Sequence, residues 1–256
     1  MPNGIEGADP RQPLFIEGTS GTAVLMIHGF TSTPGSMFAW AAPLAAAGHT
    51  VSVPLLEGHA GQWQDLIGVP YTSWTRTVEA EFDLLASTHK RVVVAGLSMG
   101  GALSLHVAAV RRPAAVLLVN PAVAGVPPVA HLARFLAPFL PSTPAIADDI
   151  KKDGVSEGAY ERTPTAAVAQ LVRLQKQVRS ELPGITAPIT LFRSPEDHVV
   201  PAAAVRALLN GLTPATRAKL RRVDLHESYH VATLDNDLPL IVQVSLEAIN
   251  EAGDGA

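Results

Sequence analysis

The chain has 256 residues, 47% of them hydrophobic and 16% charged, with no cysteine and a formal charge of -4. Those values fit one domain with a sizeable core and exclude a disordered chain. They also exclude disulfides, zinc thiolates and a cysteine nucleophile, give no basic footprint for nucleic acid, and leave no apolar run near the ~20 residues of a membrane span. The first ten residues have neither a basic start nor an apolar stretch, so the expectation is a soluble, cytoplasmic protein.

After a polar lead-in, residues 14–16 suggest a short strand. Ala23-Val24-Leu25-Met26-Ile27 is a continuous apolar run, the mark of a strand buried on both faces of a parallel sheet. It stops at His28-Gly29-Phe30-Thr31, and Ser32-Thr33-Pro34 is a helix start with proline near the first turn. An apolar helical face over residues 40–47 closes at Gly48. Residues 50–53 read as the next strand, leading into Glu57-Gly58-His59-Ala60-Gly61. Trp74, Val78, Phe82 and Leu85 recur at three- and four-residue spacing, which predicts an amphipathic helix. A β-branched run then enters Gly96-Leu97-Ser98-Met99-Gly100, with a helix over residues 100–110 and a strand over 115–119 ending at Asn120-Pro121. This alternation predicts an α/β fold, a parallel sheet covered by helices on both faces.

From residue 122 to 179 the regularity breaks. Val126-Pro127-Pro128, Pro138, Pro141 and Pro144 cut the first part into short pieces, no clean buried strand appears, and a helix is expected over residues 165–179. A long, proline-rich insertion with apolar residues reads as a lid over a greasy ligand. The expected organisation is therefore a core of residues 1–121 and 180–256 with a cap at 122–179. The alternation resumes with a strand at 189–192, a helix from about 201 to 209, a strand at 219–225 and a final helix opened by Asp237-Leu238-Pro239.

Gly-x-Ser-x-Gly between strand and helix is the pattern of a sharp turn that presents one serine, Ser98. Glycines two residues to either side supply the missing bulk. A serine nucleophile needs a base, an orienting carboxylate and donors for an oxyanion. In such sheets catalytic groups stand just beyond the carboxyl ends of strands, which selects Asp197 and His230, in the chain order serine, acid, histidine. His230 is preferred to His226, which follows its strand directly. Asp197 is preferred to Glu196 and to Asp224 within the last strand. His198 is expected to shape the Asp197 turn, and His49, His89, His106 and His131 to face solvent or cap helices. Oxyanion donors are expected from the Met99 N–H at a helix start and the Phe30 N–H, with His28 holding that loop. No metal or cofactor is expected.

The segments His28-Gly29-Phe30-Thr31-Ser32-Thr33-Pro34, Gly96-Leu97-Ser98-Met99-Gly100-Gly101, Ala159-Tyr160-Glu161-Arg162-Thr163-Pro164-Thr165, Glu196-Asp197-His198-Val199-Val200-Pro201 and Ser228-Tyr229-His230-Val231-Ala232-Thr233-Leu234-Asp235 resemble the α/β-hydrolase superfamily, more narrowly its small bacterial carboxylesterases and monoacylglycerol lipases. The resemblance implies hydrolysis of short- to medium-chain acyl esters, including monoacylglycerols, under a small cap; a separate expectation is transient contact of the cap with lipid surfaces. The resemblance also implies that Ser98, Asp197 and His230 form the triad, that Glu157 touches the glycerol end of a monoacylglycerol, and that Ile146 lines the same pocket. One departure is visible: the loop usually written Gly-His-Gly is here Gly58-His59-Ala60-Gly61. A thioesterase, an amidase and a non-catalytic binding protein of the same fold remain as alternatives.

Overall fold

A computed structural model describes residues 5, 7–126, 130 and 132–254 of the chain. Pro127, Pro128, His131 and most of the leading residues lie outside the described set. Seven strands form one sheet: β1 (Leu14–Ile16), β2 (Thr22–Ile27), β3 (Thr50–Val53), β4 (Arg91–Leu97), β5 (Val116–Val119), β8 (Ile189–Arg193) and β9 (Leu220–Asp224), in the order β1-β3-β2-β4-β5-β8-β9. Every pair is parallel except β1 with β3 at the edge. Two short strands, β6 (Ser142–Pro144) and β7 (Arg162–Pro164), pair antiparallel outside it, in a region where the sequence suggests no strand. They are too short and too exposed to leave an apolar signal.

The continuous apolar runs follow from burial on both faces. Leu25 and Ile27 of β2 join α2 (Tyr71–Thr88), α3 (Met99–Arg111), α5 (Thr165–Glu181) and α6 (Ala202–Gly211) in one cluster. Their neighbours Val24 and Met26 join α1 (Phe38–Ala46) and α8 (Leu238–Asp254) in the other. On α2, Trp74, Val78, Phe82 and Leu85 are all buried, as their spacing predicts. Each fully buried side chain of this kind contributes about 1.5–3 kcal/mol.

Within residues 122–179, α4 (Ala133–Leu136), β6 and β7 stand outside the main sheet, whereas α5 carries the chain back from β5 to β8 and buries Leu174 and Val178 in the core. A short helix α7 (Pro214–Ala218), capped by the Thr213 hydroxyl on the Thr216 N–H, precedes β9 without a sequence expectation. The register sets Ile27 beside Gly96, so the ends of β2 and β4 lie together. The loops leaving those two strands are therefore neighbours.

Two of the histidines expected to face solvent are buried. His49 sits 2.8 Å from the Ser20 hydroxyl, and His106 is enclosed between Glu79 and Glu181. His89 caps α2 through the Leu85 carbonyl, and His226 is exposed.

Candidate active site

Ser98 has φ 55° and ψ -115°, a conformation that side chains other than glycine rarely adopt. The turn is tight enough that a Cβ on Gly96 would stand 2.2 Å from the Gly100 carbonyl oxygen. One on Gly100 would stand 1.9 Å from that of Ile27. The strain is held from β5: the Ser98 N–H donates to the Val119 carbonyl (3.0 Å), and the Ala122 N–H donates to the Ser98 carbonyl (2.9 Å).

Asp197 and His230 leave the ends of β8 and β9. The Asp197 side chain is fully enclosed, and its Oδ1 lies 3.1 Å from His230 Nδ1. That contact is not aligned as a regular hydrogen bond, and Nδ1 has no other partner among the described residues. Ligand-free sites often show such loose geometry. Oδ1 also accepts the N–H groups of Val199 (2.9 Å) and Val200 (2.8 Å), while Oδ2 pairs with Arg193 Nη1 at 2.5 Å. Burial works to raise the Asp197 pKa. The close approach of His230, the Val200 N–H and the Arg193 guanidinium outweighs it and holds the carboxyl below its usual value.

The loop after β2 reaches the serine directly: a Cβ on Gly29 would stand 3.7 Å from that of Ser98. Burial drives the His28 pKa down to about 4, so its ring is neutral near pH 7. Nδ1–H then donates to the Gly29 carbonyl (2.9 Å) and Nε2 accepts the Leu56 N–H (3.2 Å), which holds the loop as expected. Burial, then the neighbouring His28, likewise lowers His59 to about 3, and the two rings meet edge to face at 5.0 Å. Trp74 completes this cluster, 6.0 Å from the Phe30 ring. The Phe30 and Met99 N–H groups donate to no acceptor among the described residues. Met99 opens α3, where backbone donors are free.

Ser98, His230, Phe30, Glu157 and Ile146 all line one cavity of about 380 Å³. Asp197 and Met99 stand behind it. Most of the remaining lining is aliphatic. Burial pushes the Glu157 carboxyl pKa up, against the Ser32 hydroxyl and the charge of His230 nearby. Its N–H donates to Asp148 Oδ1 (2.7 Å), which ties the segment across its own loop. Ile146 is 66% exposed, at the edge of the cavity.

Several supporting residues escape the sequence argument. Asn120, at the end of β5, donates to the His230 carbonyl (2.8 Å) and accepts the Ser194 N–H (2.9 Å). The rule of strand ends that selects Asp197 also applies to Asn120. Asp149 accepts the backbone N–H of His230 (3.2 Å) and lies 2.7 Å from His198 Nδ1. Asp235 accepts the N–H groups of Tyr229, Lys151 and Lys152, fastening the histidine loop to the segment between β6 and β7. Nothing short-range in the sequence marks Asp149 or Asp235. Among the described residues, no group of three or more His, Asp or Glu is arranged to hold a metal ion.

A family model described as the alpha/beta hydrolase family matches residues 24–241. The chain is 37% identical over 251 residues to the thermostable monoacylglycerol lipase of Bacillus sp. (strain H-257), covering 95% of this chain and 94% of that one. A solved structure from work on LipS and LipT, two metagenome-derived lipolytic enzymes, superposes with a TM-score of 0.89 at 34% identity, covering 94% of this chain and 98% of that one. The monoacylglycerol lipase of Paleococcus ferrophilus has a TM-score of 0.75 at 16% identity, covering 93% and 98%, which is a likeness of fold.

Proposed function

The chain belongs to the alpha/beta hydrolase family and is a carboxylic ester hydrolase, and from that premise we propose that its substrates are monoacylglycerols of short- to medium-chain acids. Ser98 is the nucleophile. His230 takes its proton as the serine oxygen attacks the ester carbonyl, and the Phe30 and Met99 N–H groups hold the resulting oxyanion. A donor of that kind contributes about 2.7–4 kcal/mol. His230 then protonates the departing alcohol, leaving the acyl group on Ser98. Water repeats the attack and releases the acid. Asp197 orients the imidazole and stabilises its charged form without taking the proton. Every step uses groups of the chain itself.

Glu157 carries the choice of substrate. It is the acidic group lining a largely aliphatic cavity that also holds Ser98 and His230. A carboxyl beside the serine suits the free hydroxyls of a glycerol leaving group, and the apolar walls suit an acyl chain. Ile146 borders that cavity as part of the substrate pocket. Residues 122–179 act as the cap, and exposed Leu132, Phe139 and Leu140 form the edge that meets a lipid surface. No helix among the described residues is long and apolar enough to cross a membrane. A cytoplasmic location completes the proposal, since a chain without cysteine gains nothing from an oxidising compartment.

Two variants test the reading. Ser98→Ala is expected to lower turnover of p-nitrophenyl butyrate by roughly 10⁴-fold or more while the protein stays folded; retained turnover would remove Ser98 from the chemistry. Glu157→Ala is expected to lower kcat/KM for 1-monolaurin by roughly 10- to 100-fold, the value of a hydrogen bond to a charged group, and to spare ethyl laurate. Equal losses on both would mean a general carboxylesterase with no glycerol contact.

A further inference from the structure

One wall of the cavity is a face of α5, where Thr165, Val168, Leu171 and Gln175 follow at three- and four-residue steps. Gln175 is 2% exposed and lines the cavity, yet its amide has no hydrogen-bond partner among the described residues. An amide offers two donor hydrogens and an acceptor oxygen, and this one is not sealed off from the cavity space, so a polar group of the ligand can reach it and pair with it. The position of that partner can be bounded. One turn beyond Gln175, Arg179 donates to the Val123 carbonyl (2.7 Å), and the adjacent Ala122 N–H donates to the Ser98 carbonyl (2.9 Å). Gln175 therefore belongs to the end of α5 beside the serine turn, whereas the other end is tied to the cap through the Thr165 N–H on the Pro141 carbonyl.

We infer that Gln175 forms a polar subsite for an oxygen carried on the acyl group close to the reacting carbonyl, so that 3-hydroxyacyl esters are hydrolysed in preference to plain acyl esters. The inference rests on the ester-hydrolase reading and is independent of glycerol recognition. The reaction is the same acyl transfer: the ester and one water give the 3-hydroxy acid and the alcohol, with no further reactant. With a plain acyl chain the amide keeps a water or goes unpaired. A 3-hydroxyl replaces that water and can both donate to the amide oxygen and accept from its N–H.

The test compares methyl octanoate with methyl 3-hydroxyoctanoate by pH-stat. In the wild type, kcat/KM for the hydroxylated ester is expected to exceed that for the plain ester by about tenfold, the effect of one well-made buried hydrogen bond. In Gln175→Leu that ratio is expected to fall to about one. Gln175→Met, unbranched and of similar length, serves as the second variant, and thermal melts report folding of both. A wild type that shows no preference overturns the inference, as does a preference that survives in a folded variant. Hydrolysis of both esters at equal rates leaves the ester-hydrolase reading standing, whereas hydrolysis of neither brings down both.

Discussion

Asp197 is fully enclosed, and besides His230 and the Val200 N–H it is supported by Arg193, four residues earlier and buried with it. Arg193 Nη1 meets Oδ2, and Nη2 donates to the Val200 carbonyl (2.6 Å), so one guanidinium fixes both the carboxylate and the turn beyond it. Removing one member of a buried pair leaves an uncompensated charge, at a cost of about 3–5 kcal/mol. Arg193→Met is therefore expected to destabilise the protein by roughly that amount near pH 7, with Arg193→Lys recovering part of the loss. The sign of the pH dependence follows from the depressed Asp197 pKa. In the wild type, stability from the ionised carboxyl is present above the unfolded value and is lost as pH falls through the lower folded value. In Arg193→Met burial is less opposed, so Asp197 protonates at higher pH and the gap between the two proteins narrows on acidification. Urea unfolding from pH 7 down to pH 3 checks this; a constant difference would remove the coupling.

The loops beside the serine are held as a set. Tyr160 accepts the Gly61 N–H (3.1 Å), donates its hydroxyl to the Gly58 carbonyl (2.8 Å), and gives its own N–H to the Thr31 carbonyl (3.0 Å). One residue, placed just before β7, thus braces both the His59 loop and the loop that carries Phe30. Within the braced loop Ala60 has φ 62°, the left-handed region where a methyl group costs about 1–2 kcal/mol. This is the position at which the chain departs from a Gly-His-Gly pattern. The alanine adopts a backbone that glycine takes freely, so the departure adds strain. Ala60→Gly is expected to stabilise the protein by up to about 1 kcal/mol, because the relief exceeds the extra entropy of glycine in the unfolded chain. Urea midpoints check it, and a lower midpoint for the glycine variant would show that Ala60 is unstrained.

Across the whole molecule, three helices on one face of the sheet meet at His106. Its Nδ1 lies 2.8 Å from Glu181 at the end of α5, and its Nε2 lies 3.0 Å from Glu79 on α2. Both nitrogens donate only when the ring is charged. Burial works to lower its pKa, but the hydrogen bonds and charges of Glu181 and Glu79 outweigh burial and raise it above the ordinary value. Stability from this contact is therefore complete below the unfolded pKa of about 6.5 and is lost as pH rises through the higher folded value. Hydrogen bonds to charged groups suggest a loss of about 1.5–3 kcal/mol. Thermal melts from pH 6 to pH 9 should show the wild type losing stability that His106→Gln does not lose. Parallel pH profiles for the two proteins would refute the clamp.

The sheet, its long helices and the serine turn were legible because their signals are local. Two-sided burial writes continuous apolar runs into β2, β4 and β5, one-sided burial writes the spacing of Trp74 to Leu85 into α2, and the steric limit of the turn writes glycine at 96 and 100. The short β6 and β7 bury too little to write anything. The groups that brace the histidine were illegible for a different reason. Asn120 and Asp149 reach the backbone of His230 across 110 and 81 positions, and the two carboxylates around His106 lie 27 positions before it and 75 after. Such pairings depend on which strands the crossovers set side by side. The sequence alone determined the α/β class, the serine turn, and the strand ends where the proposed acid and base stand. The tertiary structure alone decided which polar groups those strand ends bring together, because hydrogen bonds between distant segments are set by packing and leave no periodic trace along the chain.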